Sequence, residues 1–314
     1  MPRSILKPPR LRRGDTVGLI SPASPPSSQE KIEKSVRYLE QLGYVVKVGA
    51  HAMDQNGYLA GSDQHRADDF NEMIRDKTIR AIIAVRGGYG TPRILPLIDY
   101  SAVRRNPTIV VGYSDLTALQ LALFRKTGLV TFSGPMAGVE MWNSIDSYTE
   151  EHFWRIVTSA TPAGFLPAPV DTSLTVHHAK KASGRILGGN LSLLISTLST
   201  PYSPAYAKSL LVLEEVDEAP HRVDRMLTQL FNAGILKTVA GVILGHFTDC
   251  VPSDPSKPFL TIDQVLADAV ARIPVPVLTN LQYGHIAKKL TIPIGVKGCL
   301  FPDGRLAILE SAVR

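Results

Sequence analysis

Two short stretches carry residue types able to do covalent chemistry. In Gly112-Tyr113-Ser114-Asp115-Leu116 a β-branched run ends at a turn, shows one serine and passes into a helix-like pattern. A serine at a strand-to-helix turn stands clear of a sheet edge as a nucleophile does, although the second glycine of a Gly-x-Ser-x-Gly elbow is missing. The same placement suits an ordinary helix N-cap, which needs only one backbone N–H to accept from. One strand–helix unit earlier, AVRGGYGTPR (84–93) ends another apolar strand. Its glycines, Gly87, Gly88 and Gly90, allow bare N–H groups to face a ligand, as an oxyanion hole requires, or simply make a turn. Neither GxxxxGK[ST] nor GxGxxG is present, which disfavours a nucleotide-dependent oxidoreductase.

A nucleophilic serine needs a base, and the base a group to orient it. Of eight histidines, His65 on a polar helix and the His177-His178 pair read as surface, whereas His246 and His285 each follow a glycine near strand ends. Glu214 and Glu215 close the strand SLLVL, where a carboxylate is costly to bury without a partner, or is an ordinary strand-end acid. A metal site from His246, Asp249 and Cys250 lacks a second histidine at helical spacing and is disfavoured.

The elements that must position these residues alternate in the first half. TVGLI, YVVKVG, IRAIIAVRG, TIVVGYSD and LVTFSGP read as strands, separated by helical patterns from about Ser28 to Gly43, over DQHRADDFNEMIRD, TPRILPLIDY and LTALQLALFRKTG. Such alternation implies right-handed crossovers and an open parallel sheet, flavodoxin-like, covered on both sides. Both serine and glycine loops would then lie at the carboxyl edge, where open sheets bind ligands. Residues 158–183 lack periodicity and read as a linker, with room for one crossing strand. Residues 184–314 read as a smaller α/β or α+β domain, with GRILGGNLSLLISTL as strand, turn and helix, HRVDRMLTQLFNAG as an amphipathic helix, and further strands at GVILGHF, VPVLTNL, LTIPIGV and RLAILE. The division is 1–157, linker 158–183, and 184–314.

The 314 residues allow a sizeable core. Hydrophobic content of 44% with 20% charged residues excludes a wholly disordered chain. The net charge of +6 is concentrated in MPRSILKPPRLRR, without basic–aromatic interleaving, so nucleic-acid binding is disfavoured. Cys250 and Cys299 show no metal or disulfide spacing. The basic N-terminus lacks an apolar signal segment, and no stretch is apolar enough to span a membrane, so a cytoplasmic protein is expected.

The motifs YLAGSDQHRADDFNEMIRDKTIRAIIAVRGGYGTPRILPLIDY, GYSDLTALQLAL, GRILGGNLSLL, LEEVDEAPHRVDRML and YGHIAKKLTIPIG, in this order, resemble the LD-carboxypeptidase family of serine peptidases, nearly end to end. The resemblance implies Ser114 as nucleophile, Glu214 as the triad acid and His285 as the base, with oxyanion N–H groups at Gly88 and Asp115. The site would lie in a cleft, nucleophile and oxyanion donors from the first domain, base and orienting acid from the second. It implies removal of the terminal D-alanine from murein tetrapeptides during cytoplasmic cell-wall recycling, by a homodimer without metal or organic cofactor. Arg86 and Asn190, on the two glycine loops, are candidates for the D-alanine carboxylate. Two departures are Ser133, where many relatives have histidine, and Glu215, where aspartate is frequent. Alternatives are the microcin-immunity-type branch, an amidase acting on peptidyl-nucleotide antibiotics, for which Trp142 or Trp154 would supply an aromatic platform, and a non-catalytic murein-peptide sensor.

Overall fold

The computed structural model describes residues 4–168 and 174–314; positions 169–173 of the expected linker lie outside the described residues. Five strands, β1 (Thr16–Ile20), β2 (Val45–Val48), β3 (Ile79–Ala84), β4 (Ile109–Gly112) and β5 (Thr131–Ser133), form a parallel array in the order β2-β1-β3-β4-β5. This is the flavodoxin-like order, with its switch point between β1 and β3. The helices between them are α1 (Gln29–Gln41), α2 (Asp63–Arg75), α3 (Thr91–Ile94), α4 (Tyr100–Arg105) and α5 (Leu116–Thr127). In α1, Ile32, Ser35 and Leu39 recur on one buried face, and α2 starts where the Ser62 side chain accepts the His65 N–H. TPRILPLIDY gives two short helices rather than one, because Pro96 has no N–H to continue a ladder and sits in a 3₁₀ turn between them. A further helix, α6 (Ser147–Thr158), follows β5 after a single π turn at Ala137–Met141.

The second sheet has eight strands: β6 (Gly164–Phe165), β7 (Thr175–His177), β8 (Ala182–Asn190), β9 (Leu210–Val216), β10 (Gly241–Thr248), β11 (Val277–Thr279), β13 (Lys297–Leu300) and β14 (Leu306–Ile308). Strands β8 to β11 are parallel and the outer ones antiparallel. The expected linker therefore contributes two short strands, one to each edge of this sheet. Helices α7 (Leu191–Thr197), α8 (Pro220–Asn232), α9 (Ile235–Thr238) and α10 (Ile262–Arg272) connect its strands. Helix α8 buries Val223, Leu227, Leu230 and Phe231 as its periodicity implies.

LTIPIGV is not one strand. Ile292–Ile294, β12, pairs antiparallel with β5 in the first sheet, the chain turns at Gly295, and β13 joins the second. Between the sheets lies α5, buried on nearly every side rather than along one stripe. Its Gln120 donates to the Gly112 carbonyl on β4 and the Phe132 carbonyl on β5, both at 2.8 Å, fixing the strand end before Ser114.

Helix α6 grips the segment leading from His285 to β12. Thr149 Oγ1 donates to the Ala287 carbonyl (2.9 Å) and accepts from the Lys289 N–H (2.9 Å), and His152 Nδ1 accepts the Thr291 N–H at 3.0 Å. Protonating Nδ1 would set two donors face to face, and burial pushes the His152 pKa down from 6.5 to about 4. A depressed folded-state pKa contributes stability that is present above 6.5 and is lost as pH falls toward 4. Urea titrations across this window should show stability falling by up to about 1.4 kcal/mol per pH unit from this group. His152→Asn, which keeps an acceptor but no titration, should flatten that limb; an unchanged slope would place the acid sensitivity elsewhere.

Candidate active site

Ser114 follows β4 with φ at 62°, the left-handed region that a non-glycine residue enters only under constraint. Among the described residues its hydroxyl accepts no helix N–H, so the capping alternative has no bond to rest on. The glycine loop after β3 lies directly against it. A side chain at position 87 would start 3.0 Å from Ser114 Cβ, 3.2 Å from its Oγ and 3.5 Å from the Asp115 nitrogen, so glycine lets the loop approach this closely without pushing on Ser114. Gly88 is exposed, and among the described residues neither its N–H nor that of Asp115 donates to a protein acceptor. The Asp115 side chain is buried and ties the elbow to the far end of the glycine loop, Oδ2 accepting the Thr91 N–H at 2.7 Å; burial raises its pKa. On the outer flank the buried Arg66 donates to the Pro22 and Gly90 carbonyls at 2.7 and 2.9 Å, joining the loops after β1 and β3, and pairs with Asp63.

The second sheet brings its acids to the same place. Glu214 is buried on β9, and its Oε2 accepts from His285 Nδ1 at 2.7 Å, which leaves Nε2 of the half-buried ring as the outward nitrogen. Glu215 points to the other face of the strand, where it accepts from Asn190 Nδ2 (2.7 Å), the Ser192 N–H (2.8 Å) and the Ser192 hydroxyl (2.6 Å). Asn190 is buried, caps α7 through the Leu193 N–H and receives no exposed contact. His246 meets Gln282 at 3.2 Å rather than either glutamate, and it forms no ligand cluster with Asp249 and Cys250 among the described residues. Ser133 is wholly buried and bonded to the Tyr283 hydroxyl at 2.7 Å.

Among the described residues no hydrogen bond joins Ser114 to His285. Tyr113 stands between their elements, its ring edge-on to the imidazole with centroids 5.0 Å apart. Its hydroxyl donates to Glu140 Oε1 at 2.8 Å, Lys289 Nζ donates to the same oxygen at 2.5 Å, and that ammonium lies 4.0 Å above the Tyr113 ring. Burial together with the Glu140 charge holds the Tyr113 phenol well above its ordinary pKa, so it stays a donor. Tyr113, Glu140, Trp142, His285 and Lys289 line a cleft of about 620 Å³, large enough for a small peptide. A second cavity of about 570 Å³ beside α10 is lined by none of these residues. Arg86 reaches only the Pro25 carbonyl, at 3.5 Å, and pairs with no carboxylate among the described residues.

Sequence models of the LD-carboxypeptidase N-terminal domain and the LD-carboxypeptidase C-terminal domain match residues 17–134 and 183–300 of this chain. The chain belongs to the LD-carboxypeptidase family. A Bacillus subtilis protein named "Probable murein peptide carboxypeptidase" is 39% identical over 308 residues, covering 98% of this chain and 95% of that protein. The microcin C7 self-immunity protein MccF of Escherichia coli is 28% identical over 330 residues, covering 96% of this chain and 94% of MccF. A solved structure of MccF with aspartyl sulfamoyl adenosine superposes at TM-score 0.89 and 26% identity, over 98% of this chain and 100% of that one. The muramoyltetrapeptide carboxypeptidase of Oxalobacter formigenes superposes at 0.81 with 28% identity, over 94% and 99% of the two chains.

Within this LD-carboxypeptidase frame, sequence reasoning missed the support. Arg66 looked like any helix-surface arginine, and Glu140 and Lys289 are 149 positions apart, so only the fold pairs them. The one available signal is the Lys288-Lys289 pair set just before the apolar run into β12. Removing one partner of a buried ion pair leaves a bare charge. Lys289→Met should therefore lower unfolding free energy by about 3–5 kcal/mol in urea, and adding Glu140→Gln should restore most of it. Equal losses in both variants would assign the effect to packing instead of charge.

Proposed function

We propose that this peptidase is a serine-type LD-carboxypeptidase that removes the terminal D-alanine of murein tetrapeptides. The observation that carries the reading is the Glu214–His285 bond at 2.7 Å, with the imidazole edge-on to Tyr113, the residue before Ser114 at its positive φ. Ser114 Oγ attacks the amide carbonyl while His285 Nε2 takes its proton, and Glu214 stabilises the imidazolium through Nδ1–H. The Gly88 and Asp115 N–H groups receive the oxyanion. His285 then returns the proton to the leaving D-alanine amine, and water, deprotonated by the same histidine, releases the acyl group and regenerates Ser114. Arg86, which has no acidic partner among the described residues and opens the glycine loop, is the group we assign to the D-alanine carboxylate in preference to Asn190, whose amide serves Glu215 and the α7 cap. The relatives named for murein peptides support this substrate class. A cytoplasmic recycling role agrees with two unpaired, buried cysteines.

One observation favours a second reading. Trp142 lines the cleft, whereas Trp154 is stacked on Tyr44 at 5.2 Å and bonded to the Tyr38 hydroxyl. An indole on the cleft wall could stack a nucleobase, so a peptidyl-nucleotide amidase of the MccF kind is the alternative.

The deciding assay is D-alanine release from a murein tetrapeptide, with chelator in every sample. Wild type should be active, and Ser114→Ala should lose at least about a thousandfold in turnover. Arg86→Gln should raise KM at least about tenfold on the free-acid peptide, the worth of one charge-assisted hydrogen bond, and leave an amide-capped peptide unaffected. An inert wild type that cleaves a peptidyl-adenylate analogue would select the second reading. Activity retained in Ser114→Ala would overturn the mechanism.

A further inference from the structure

His51, Asp54 and His65 converge outside the cleft. His51 Nδ1 and His65 Nδ1 lie 2.9 and 2.8 Å from the same oxygen, Asp54 Oδ2, and the imidazoles stack at 3.9 Å between centroids. The three ligand atoms all lie within 4.8 Å of one another, the only such group among the described residues. We propose that this cluster is a divalent transition-metal site of the zinc class, held by two imidazole nitrogens and one carboxylate oxygen with the remaining position left to water.

The donor set suits a borderline dication: imidazole favours zinc, copper and nickel, and one carboxylate offsets part of the charge. A tetrahedral ion with bonds of about 2.0–2.1 Å needs ligand atoms about 3.3–3.4 Å apart. The two 2.8–2.9 Å edges therefore need to open by only about half an ångström. Binding through both Nδ1 atoms leaves each neutral ring protonated at Nε2 and releases any further ring proton to solvent, the ion taking the place of both hydrogen bonds to Asp54.

The backbones that carry the ligands are pinned independently of the cluster. The His51 N–H donates to both Asp69 oxygens at 3.1 and 3.2 Å, which also sets a second carboxylate behind the site, and the His65 N–H donates to the Ser62 hydroxyl at 3.1 Å. The side chains are 31%, 37% and 46% exposed for His51, Asp54 and His65, leaving an entry path. The loop spanning the ligands leans on the catalytic face: the Ala60 N–H donates to the Ala23 carbonyl at 2.9 Å, and Tyr58 meets Tyr89 of the glycine loop edge-on at 5.6 Å. A bound ion would staple this loop to α2. None of these residues enters the proposed peptidase chemistry, so the two readings stand or fall separately.

The test is calorimetric titration of tag-free, chelator-stripped protein with zinc, comparing wild type with His65→Gln, Asp54→Asn and His178→Gln, the last altering an exposed histidine elsewhere. Wild type and His178→Gln should bind about one zinc per chain in the micromolar range or tighter, with a raised melting temperature. His65→Gln and Asp54→Asn should bind at least about tenfold more weakly and lose the thermal shift. Both alter exposed side chains, and unchanged circular dichroism without metal would confirm their folding. Absence of binding in wild type overturns the proposal, as does binding that survives in His65→Gln and Asp54→Asn or disappears in His178→Gln.

Discussion

One missing side chain lets α5, which carries the proposed nucleophile's turn, pack directly on the second sheet. At Gly189 a Cβ would lie 2.6 Å from Thr117 Oγ1, and with none there the adjacent Asn190 N–H donates to that hydroxyl at 3.0 Å. Thr117 is in the first turn of α5, its own N–H bonded to the Ser114 carbonyl at 2.9 Å. Asn190 is paired in register with Glu214. A continuous bonded path therefore runs from the serine, through one helical turn, the Thr117 hydroxyl and the Asn190 N–H, to the acid on the other sheet. Shifting that contact would separate the proposed nucleophile from its base without touching either side chain, and a 1 Å error at such a site is costly.

The rest of the frame makes the arrangement hold. A serine at positive φ costs on the order of 1–3 kcal/mol and persists only where its surroundings overdetermine it. Gln120 fixes the strand before it, and Asp115 ties the residue after it to Thr91. The imidazole is supported from three sides: Glu214 below, the Tyr113 edge beside it, and α6 holding the chain just beyond it at Ala287, Lys289 and Thr291. Lys289 and Glu140 place opposite charges in one buried pair next to the ring, so the local field is set by dipoles and by Glu214 rather than by an unpaired ion.

What was legible in the sequence follows from range. The strand–helix alternation of the first half, the turn at Ser114, the glycine loop and the amphipathic face of α8 are local patterns, and each forms where its periodicity points. Helices α6 and α10 carried usable signals, an Asp146 cap and a Thr261–Gln264 capping box, but stood among polar residues that blurred their boundaries. LTIPIGV misleads because a short, mostly apolar stretch gives no hint that its two ends serve different sheets. Among the site residues, local pattern marked Ser114, while only the family motifs separated His285 from His246 and Glu214 from Glu215. Strand alternation explains the second distinction afterwards: neighbouring acids face opposite sides, and only one side holds the imidazole. His65 read as surface, correctly in exposure, but its partners His51 and Asp54 belong to a turn whose path the sequence does not specify.

The division of labour between strand ends and cleft walls bears on how one frame serves different substrates. Of the side chains proposed for chemistry, Ser114 sits just past β4 and Glu214 within β9, where sheet hydrogen bonding fixes them, while His285 lies in the segment between β11 and β12 and is held by its bond to Glu214. The cleft wall is built otherwise, from a π turn carrying Glu140 and the loop with Trp142. Such loops tolerate change far better than paired strands. A carboxylate-binding wall and a base-stacking wall are thus alternatives that need not disturb the Ser114–Thr117–Asn190 path. In the two proposed readings, the choice between a murein peptide and a nucleotide-bearing peptide falls to Arg86 and Trp142, while Ser114, Glu214 and His285 are common to both.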